Sequence, residues 1–174
     1  HGRTRSQLYK GEADWSLIAA VKNNPRISIP IFGNGDIDSP EKALEYKNRY
    51  GVDGIMLGRA AIGYPWIFNE IKYYLQTGEH LPAPTIEQRI TVIKKHLQRS
   101  LEWKGETLGM LEMRRHYANY LKGLPNIKDY RIKLTTLKNT DEIFSLLDEI
   151  NKAYSGMQIQ QRKIDIAEMA YSCG

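Results

Sequence analysis

Apolar positions in the first part of the chain predict two short strands with a helix between them. Residues 27–32 and 52–57 are largely apolar runs with several β-branched side chains, and each run ends at a glycine. Between them, Ser39 and Pro40 mark the start of a helix, and Gly51 marks its end. Because this spacing fits one crossover helix, we expect the two strands to be parallel.

An earlier helix is expected over residues 15–22, with Ile18, Ala19 and Val21 on its inner side. Parallel strands are normally buried on both faces of a larger sheet, so two strands alone do not make a closed core. The chain also begins with His1 rather than with methionine. We therefore expect the C-terminal piece of a larger α/β protein, with the remaining strands outside this chain.

The second part of the chain, from Pro84 onwards, has helical periodicity and no convincing strand pattern. Three amphipathic helices are expected, with apolar positions at Ile86, Ile90, Ile93, Leu97 and Leu101, then at Leu108, Leu111, Tyr117, Leu121 and Leu124, and then at Ile143, Phe144, Leu147 and Ile150. Asn139 and the acidic residues after Thr140 mark the start of the third helix. The pattern predicts a small helical bundle, followed by a tail that is either a fourth helix or a disordered end.

Composition narrows the class of protein. Hydrophobic residues make up 41% of the 174 residues and charged residues 26%, which is typical of a globular chain rather than a disordered one. No apolar run approaches the ~20 residues of a membrane span, so no membrane partner is expected. The single cysteine, Cys173, excludes an intramolecular disulfide framework and a cysteine-rich zinc site. These features favour a reducing, cytoplasmic setting.

Positive charge is concentrated in the helical part of the chain. The formal net charge is +5, but residues 89–138 contain 12 Lys/Arg and 4 Asp/Glu, a local net charge of +8. Such a segment fits a phosphate-backbone partner, although a solvated helix face has the same composition. The aromatic residues of this segment either stack on nucleic-acid bases or fill a small core; they are Trp103, Tyr117, Tyr120 and Tyr130.

Two glycine-containing loops predict a phosphate site. The loop Gly33-Asn34-Gly35-Asp36 follows the first strand, and Gly58-Arg59 follows the second. The carboxyl ends of neighbouring parallel strands are where α/β sheets and barrels bind ligands. Glycine lets the backbone approach a phosphate closely, and Arg59 can add a charge-assisted hydrogen bond.

The first five residues are rich in hydrogen-bond donors. His1, Arg3 and Arg5 place one imidazole and two guanidinium groups within five positions. This density favours an anionic ligand over a charged loop without a ligand. The other histidines are scattered without the spacing of metal ligands, so no metal site is expected.

Three segments of the chain resemble a known family. Within residues 1–68, these segments are similar to the C-terminal part of a tRNA-dihydrouridine synthase. In chain order they are HGRTRSQLYKGEADW, IPIFGNGDI and GVDGIMLGRAAIGYPWIF. The helical part is similar more loosely, through residues 113–116, Tyr120, Lys122-Gly123 and Arg131. The resemblance covers about residues 1–150.

The resemblance implies an α/β fold and a division into domains. Family members have an FMN-containing TIM (β/α)8 barrel followed by an all-α helical domain that binds tRNA. By this resemblance, residues 1–78 are the C-terminal remnant of the FMN-binding barrel, and residues 79–155 are the helical bundle that binds tRNA. Residues 156–174 are a tail.

The resemblance also implies an activity and a set of site residues. Family members reduce the C5–C6 double bond of uridine in tRNA to give dihydrouridine, with FMN as cofactor and NADPH as reductant. By motif, the cofactor-binding residues are His1, Asn34, Gly35, Asp36, Gly58 and Arg59. The predicted tRNA-binding residues are Arg3, Arg114, Arg115, His116, Lys122 and Arg131.

No residue of this chain matches the catalytic acid of the family. That acid is a cysteine in the first half of the barrel, and Cys173 lies far from every matched segment. We therefore expect the full-length parent to be an enzyme and this chain alone to be inactive. An exposed barrel edge would favour self-association of the chain.

Two other functions fit parts of the same pattern. The basic helices alone fit an RNA-binding module without catalysis, whose affinity for tRNA would fall steeply with salt and which would bind no flavin. The phosphate loops alone fit another FMN-dependent TIM-barrel oxidoreductase that acts on a small metabolite, and such an enzyme has no use for basic helices. The coincidence of the opening motif, both loops and the basic helices favours the synthase.

Overall fold

The computed structural model describes residues 1–8 and 10–159, in which seven α-helices accompany two short strands. The described chain divides into two compact units, residues 1–81 and residues 82–159. The first unit contains a 3₁₀ turn (Arg5–Gln7), α1 (Ser16–Lys22), β1 (Phe32–Asn34), α2 (Pro40–Tyr50), β2 (Gly54–Met56), a second 3₁₀ turn (Arg59–Ala61) and α3 (Ile67–Thr77). The second unit contains α4 (Ile86–Lys104), α5 (Glu106–Tyr120), α6 (Lys128–Thr136) and α7 (Thr140–Ala153).

The predicted crossover in the first unit is confirmed. β1 and β2 are parallel neighbours, and α2 connects them. The helix begins after Ser39, whose hydroxyl accepts a hydrogen bond from the backbone N–H of Lys42, and ends at Gly51 in the left-handed conformation. Local capping chemistry therefore sets both ends of the connection between the strands.

Both strands are shorter than the apolar runs that predict them. β1 occupies Phe32–Asn34 rather than residues 27–32, and β2 keeps three of the six predicted residues. Just before the pair, the carboxylate of Asp53 accepts a hydrogen bond from the backbone N–H of Ile31 at 2.7 Å. The backbone N–H of Asp53 also donates to the carbonyl oxygen of Ile31 at 2.9 Å. Beyond the paired strands, residues 31 and 53 are therefore linked through a side chain as well as through the backbone, and apolar composition does not reveal this.

A buried tryptophan organises the core of the first unit. The ring of Trp15 packs against Tyr46 and Tyr50 of α2, with ring centroids 5.0 and 5.6 Å away. The same ring lies against Gly33 of β1, where an added Cβ would come within 2.0 Å of the indole. β1 approaches this ring closely because residue 33 has no side chain.

The predicted inner side of α1 is confirmed at Ile18, which is buried in the same core, but it is wrong at Val21, which is exposed. Val21 lies in the last turn of a seven-residue helix. The sheet has two strands in the described residues, and it offers no further surface against which that turn can pack.

Three of the four helices in the second unit lie where the periodicity predicts them. α7 begins at the predicted cap, where the side chain of Asn139 accepts hydrogen bonds from the backbone N–H groups of Asp141 and Glu142. The sequence pattern does not predict α6, because this nine-residue helix buries only Leu134 and has little amphipathic periodicity. Residues 82–159 contain no strand.

Leu108 and Leu111 are wrong as core positions, since both are exposed on α5. The contact of α5 with α4 is set by Gly109, where an added Cβ would lie 2.8 Å from the carbonyl oxygen of Ser100. The buried positions of α5 are Gly109, Met113, Tyr117 and Tyr120. The two leucines fall outside this stripe because the glycine, rather than the largest apolar residues, faces α4.

The predicted tail is described only at its beginning. Residues 156–159 are not helical, and residues 160–174, including Cys173, lie outside the described residues, as does Tyr9. Within the described part of the chain, no helix combines the length and apolar character needed to span a membrane.

Candidate functional site

A pocket of about 370 Å³ lies in the first unit at the carboxyl ends of β1 and β2. This is the edge at which parallel sheets bind ligands. Its lining residues are His1, Arg3, Leu8, Asn34, Gly35, Asp36, Ile37, Met56, Gly58, Arg59 and Ile62. The pocket therefore brings together all six residues that the sequence analysis assigns to the cofactor, and Arg3 lies with them.

The turn after β1 is held in an unusual backbone conformation. Gly35 has φ 134° and Asp36 has φ 55°, a left-handed conformation for a residue with a side chain. A Cβ added at Gly35 would come within 2.5 Å of the Cβ of Ala13. The indole N–H of Trp15 donates to the carbonyl oxygen of Gly35 at 2.9 Å, so the buried core fixes this turn at the pocket.

The sequence analysis missed Trp15 as a residue that supports the site. The signal in the sequence is a large aromatic residue at the end of the segment HGRTRSQLYKGEADW. It could not be interpreted without the structure, because the hydrogen bond joins residues that are 20 positions apart.

The turn after β2 leaves the wall of the pocket open. A Cβ added at Gly58 would meet no atom within 4 Å, so protein packing does not require glycine there. A side chain at this position would occupy the space beside Arg59, which also lines the pocket. The glycine thus leaves room for a ligand to approach the backbone.

Asn34 joins the two turns. Its side-chain Nδ2 donates to the carbonyl oxygen of Met56 at 2.8 Å, linking the last residues of the two strands. The amide therefore fixes the distance between the two loops that line the pocket. This role needs no direct contact with a ligand.

His1 presents one ring nitrogen to the protein. Its Nδ1 accepts a hydrogen bond from the backbone N–H of Arg3 at 2.9 Å. A neutral imidazole that accepts at Nδ1 has its proton on Nε2. His1 can therefore offer an Nε2–H donor to a ligand in the pocket that it lines.

Asp36 is surrounded by hydrogen-bond donors. Its Oδ1 accepts from Arg3 Nη1 at 2.6 Å and from Arg59 Nη2 at 2.9 Å. Its Oδ2 accepts from Arg3 Nη2 at 2.7 Å and from the backbone N–H of Ala13 at 2.8 Å. Burial raises the pKa of Asp36, but the Arg3 and Ala13 hydrogen bonds and the two arginine charges outweigh it and leave the pKa below its usual value.

The pocket is suited to an anion. Two guanidinium groups and one carboxylate give the cluster of Arg3, Asp36 and Arg59 a net charge of +1. Glycine turns, a guanidinium and an imidazole N–H are the kinds of group that bind a phosphate. The donor set therefore fits a phosphate-bearing ligand.

The remaining residues predicted to bind tRNA lie in the second unit. Arg114, Arg115 and His116 belong to α5, Lys122 follows this helix, and Arg131 belongs to α6. Arg115 and Arg131 are exposed, whereas Arg114 and Lys122 are partly buried. Arg3 belongs to the other unit, where it lines the pocket.

His116 differs from its neighbours because it is held in a neutral state. Its ring lies 4.7 Å from that of His96, and Arg115 Nε donates to its Nε2 at 3.3 Å. Burial, the His96 ring and the Arg115 charge lower the pKa of His116 to about 4. Within the described part of the chain, no group of three or more His, Cys, Asp or Glu side chains is placed to hold a metal ion.

Arg89 is one of the cations in the basic segment, but it lies in the core. Its side chain is 1% exposed, and Nη1 donates to the carbonyl oxygens of Tyr120 and Lys122 at 3.4 and 3.1 Å. These carbonyls lie at the end of α5, where a positive charge is favourable. A count of charges along the sequence therefore overestimates the positive charge at the surface by one, because Arg89 is buried.

The aromatic residues of the basic segment divide between core and surface. Tyr117 and Tyr120 are buried, and burial raises the pKa of Tyr120 to about 12. Trp103 is 81% exposed, with Lys104 Nζ 4.6 Å from the centroid of its ring. Of these three, only Trp103 is therefore accessible for stacking.

Comparison with known proteins identifies relatives of the chain. The family model described as "Dihydrouridine synthase (Dus)" matches residues 1–155. The chain is 47% identical over 141 residues to tRNA-dihydrouridine synthase B of Pseudomonas aeruginosa, which covers 81% of this chain and 42% of that protein. It is 43% identical to a probable tRNA-dihydrouridine synthase of Rickettsia conorii, over 75% of this chain and 39% of that protein.

A third relative extends the match along the chain. Probable tRNA-dihydrouridine synthase 1 of Synechocystis sp. is 40% identical over 149 residues, which are 86% of this chain and 41% of that protein. The chain thus spans about two fifths of the length of these relatives. Because the family model matches nearly the whole described part, the chain belongs to the dihydrouridine synthase family.

Proposed function

We propose that this chain takes part in the reduction of uridine in tRNA to 5,6-dihydrouridine, with FMN as the flavin and NADPH as the reductant. One observation carries the proposal: in a chain of the dihydrouridine synthase family, a single pocket unites His1, Asn34, Gly35, Asp36, Gly58 and Arg59. When bound, the flavin would supply the hydride that reduces the C5–C6 bond of uracil.

In this proposal, the residues of the pocket bind the flavin phosphate. The glycines at positions 35 and 58 leave the backbone accessible, Arg59 provides positive charge, and His1 donates from Nε2. No residue of this chain is assigned as the acid that protonates C5 of uracil. We therefore propose that the chain alone is inactive.

The two units fit different parts of this activity. The dihydrouridine synthase family has a TIM-barrel fold, and two parallel strands joined by α2 are consistent with part of a barrel. We assign residues 1–78 to that barrel and residues 79–155 to a helical domain that binds tRNA through Arg114, Arg115, Lys122 and Arg131. Phe32 and Met56, which are exposed on the strands, then belong to the face that the rest of the barrel covers, and self-association through it stays a prediction.

A visible absorption spectrum of the protein expressed from its complete reading frame tests the flavin assignment. We expect a band near ~450 nm that is released on denaturation. Purified protein should then form dihydrouridine in unmodified tRNA when NADPH is added. A colourless protein that takes up no added FMN would overturn the proposal.

Substitutions test the two sites separately. Asn34→Ala and Arg59→Ala should weaken flavin retention, whereas Lys47→Ala, which changes an exposed residue of α2, should not. Arg115→Ala and Lys122→Ala should weaken tRNA binding and leave the flavin spectrum intact. Normal affinity for tRNA in both of the latter variants would remove the role assigned to the helices.

The second candidate function is an RNA-binding module without catalysis. The exposed arginines of α5 and α6 support it, because they fit a polyanion whether or not a flavin is present. Binding of tRNA that weakens steeply with salt, in a protein that takes up no flavin, would favour this function over the first.

A further inference from the structure

The cluster formed by Arg3, Asp36 and Arg59 connects three separate segments of the first unit. These are the opening segment, the turn after β1 and the turn after β2. The three side chains are 5%, 14% and 13% exposed, so the contacts are formed largely out of water. Coulomb interactions between such groups are stronger than those of exposed ion pairs.

We propose that Asp36 is a positioning residue that holds Arg59 at the phosphate pocket, and that Arg3 is the counter-cation that keeps the pocket positive. This inference rests on the proposed function, because the anion concerned is the flavin phosphate. It assigns Arg3 to the flavin site rather than to tRNA.

The geometry shows why Asp36 does not act as a ligand for the phosphate. Its two oxygens accept four hydrogen bonds, three from arginine nitrogens and one from the backbone of Ala13. A carboxylate and a phosphate are both negatively charged and repel each other. The side chain therefore acts on the ligand through the arginine that it holds.

Arg3 is fixed independently of Asp36. Its Nε donates to the carbonyl oxygen of Lys10 at 3.3 Å, and its Nη2 also donates to the carbonyl oxygen of Gly11. The guanidinium is thus bound on one side by backbone carbonyls and on the other by both carboxylate oxygens. A lysine has one nitrogen and cannot bridge these partners in the same way.

The charges explain why two arginines are needed. Asp36 paired with Arg59 alone would have a net charge of zero, whereas the addition of Arg3 leaves +1 beside the ligand. A phosphate monoester carries between one and two negative charges near neutral pH. Arg3 therefore lets Asp36 orient Arg59 without cancelling its charge.

Asp36→Asn distinguishes a positioning role from simple charge repulsion, because the two predict opposite changes in the affinity for FMN. Removing a negative charge near the phosphate would by itself tighten FMN binding. If Asp36 positions Arg59, the variant should bind FMN at least ~10-fold more weakly. Riboflavin, which has no phosphate, should bind with an affinity within ~2-fold of that of the unsubstituted protein.

The measurement is a fluorescence titration of apoprotein, prepared from the complete reading frame, with FMN and with riboflavin. Glu45→Gln is the matched control, since it removes one negative charge from the exposed side of α2. It should leave the ratio of the two affinities unchanged. An unsubstituted protein that binds neither flavin would count against the proposed function, whereas one that binds FMN and responds in the wrong direction would count against this inference alone.

Substitutions of Arg3 keep the test decisive if Asp36→Asn does not fold. Arg3→Lys should weaken FMN binding by ~3- to 10-fold, and Arg3→Gln should weaken it further, with riboflavin affinity retained in both. The proposal would be overturned if Arg3→Lys left the affinity for FMN unchanged. It would also be overturned if every variant that folds lost equal affinity for FMN and for riboflavin.

Discussion

In the first unit, Arg3 and Arg59 are partly buried against one carboxylate, whereas in the second unit Arg115 and Arg131 lie at the surface. The first arrangement fixes the direction of each guanidinium before any ligand arrives, which suits one small anion in a defined position. The second leaves most of each long side chain in solvent, which suits a polyanion with many equivalent phosphates. Arginine content alone does not distinguish these two uses.

Arg89 differs from the surface arginines of the second unit, because its side chain is buried. It therefore gives the strongest test of the contrast between buried and exposed arginines. Arg89→Met should lower the free energy of unfolding by about 3 kcal/mol, since the carbonyl oxygens of Tyr120 and Lys122 would lose a charged donor. Urea unfolding followed by circular dichroism measures the change.

Arg99→Met is the matched control for Arg89, because Arg99 is an exposed arginine on the same helix, α4. We expect it to change stability by no more than ~0.5 kcal/mol. Equal losses in the two variants would show that burial does not separate the two kinds of arginine.

The pH dependence of stability tests the partly buried pair His96 and His116 of the second unit. Because the pKa of His116 is about 4 in the folded chain and ~6.5 when unfolded, the unfolded state binds a proton that the folded state does not. Stability should therefore fall as pH decreases from ~6.5 towards 4, by about 1–2 kcal/mol between pH 7 and 5 once solvent screening is allowed for. Burial and the Arg115 charge lower the pKa of His96 too, which adds to the fall.

His116→Gln should reduce this acid-induced loss, as measured by urea unfolding midpoints at several pH values. Asn48→Ala, which changes an exposed residue of α2 that carries no ionisable group, should leave the loss as it is. A stability profile that is flat between pH 7 and 5 in the unsubstituted protein would contradict the neutral state of the pair.

The effect of single exposed cations on tRNA binding is expected to be smaller. Arg131→Gln should weaken binding a few-fold, by about 1 kcal/mol, and should lower the slope of log K against log salt by about 1. Lys94→Gln is the control, since Lys94 Nζ already pairs with Asp148 at 2.6 Å. If both variants lower the slope of log K against log salt equally, a lysine in a surface ion pair contacts RNA as readily as an arginine outside such a pair.

Local signals in the sequence predict several helix ends in both units and the position of the pocket in the first. Ser39, Gly51 and Asn139 act as caps where they were expected, and the glycine loops meet at one pocket because parallel strands end at the same edge. The apolar runs predict longer strands than the structure contains, and next to the strand pair the backbone N–H of Ile31 donates to the carboxylate of Asp53. That contact depends on tertiary structure and leaves no periodic pattern.

The function of individual cations could not be predicted in the same way. Arg3 and Arg89 look like surface arginines in the sequence, but the side chain of each donates a hydrogen bond to a partner more than 30 positions away. Gly109 faces α4 although Leu108 and Leu111 are the apolar residues nearby. In each case the decisive neighbour comes from another element, which a single sequence read by periodicity does not identify.

The smallest expected effect concerns Trp103, the exposed aromatic residue of the second unit. Since 81% of it is accessible, Trp103→Ala should change the free energy of unfolding by no more than ~0.5 kcal/mol. The loss of the contact with Lys104 is offset in part by the better helix propensity of alanine. Tyr117→Ala, which removes a fully buried ring from α5, should cost ~3 kcal/mol or more in the same urea titration. A similar cost for Trp103 would mean that the tryptophan is covered in solution, and the surface of the second unit would then be less open to RNA than its charges imply.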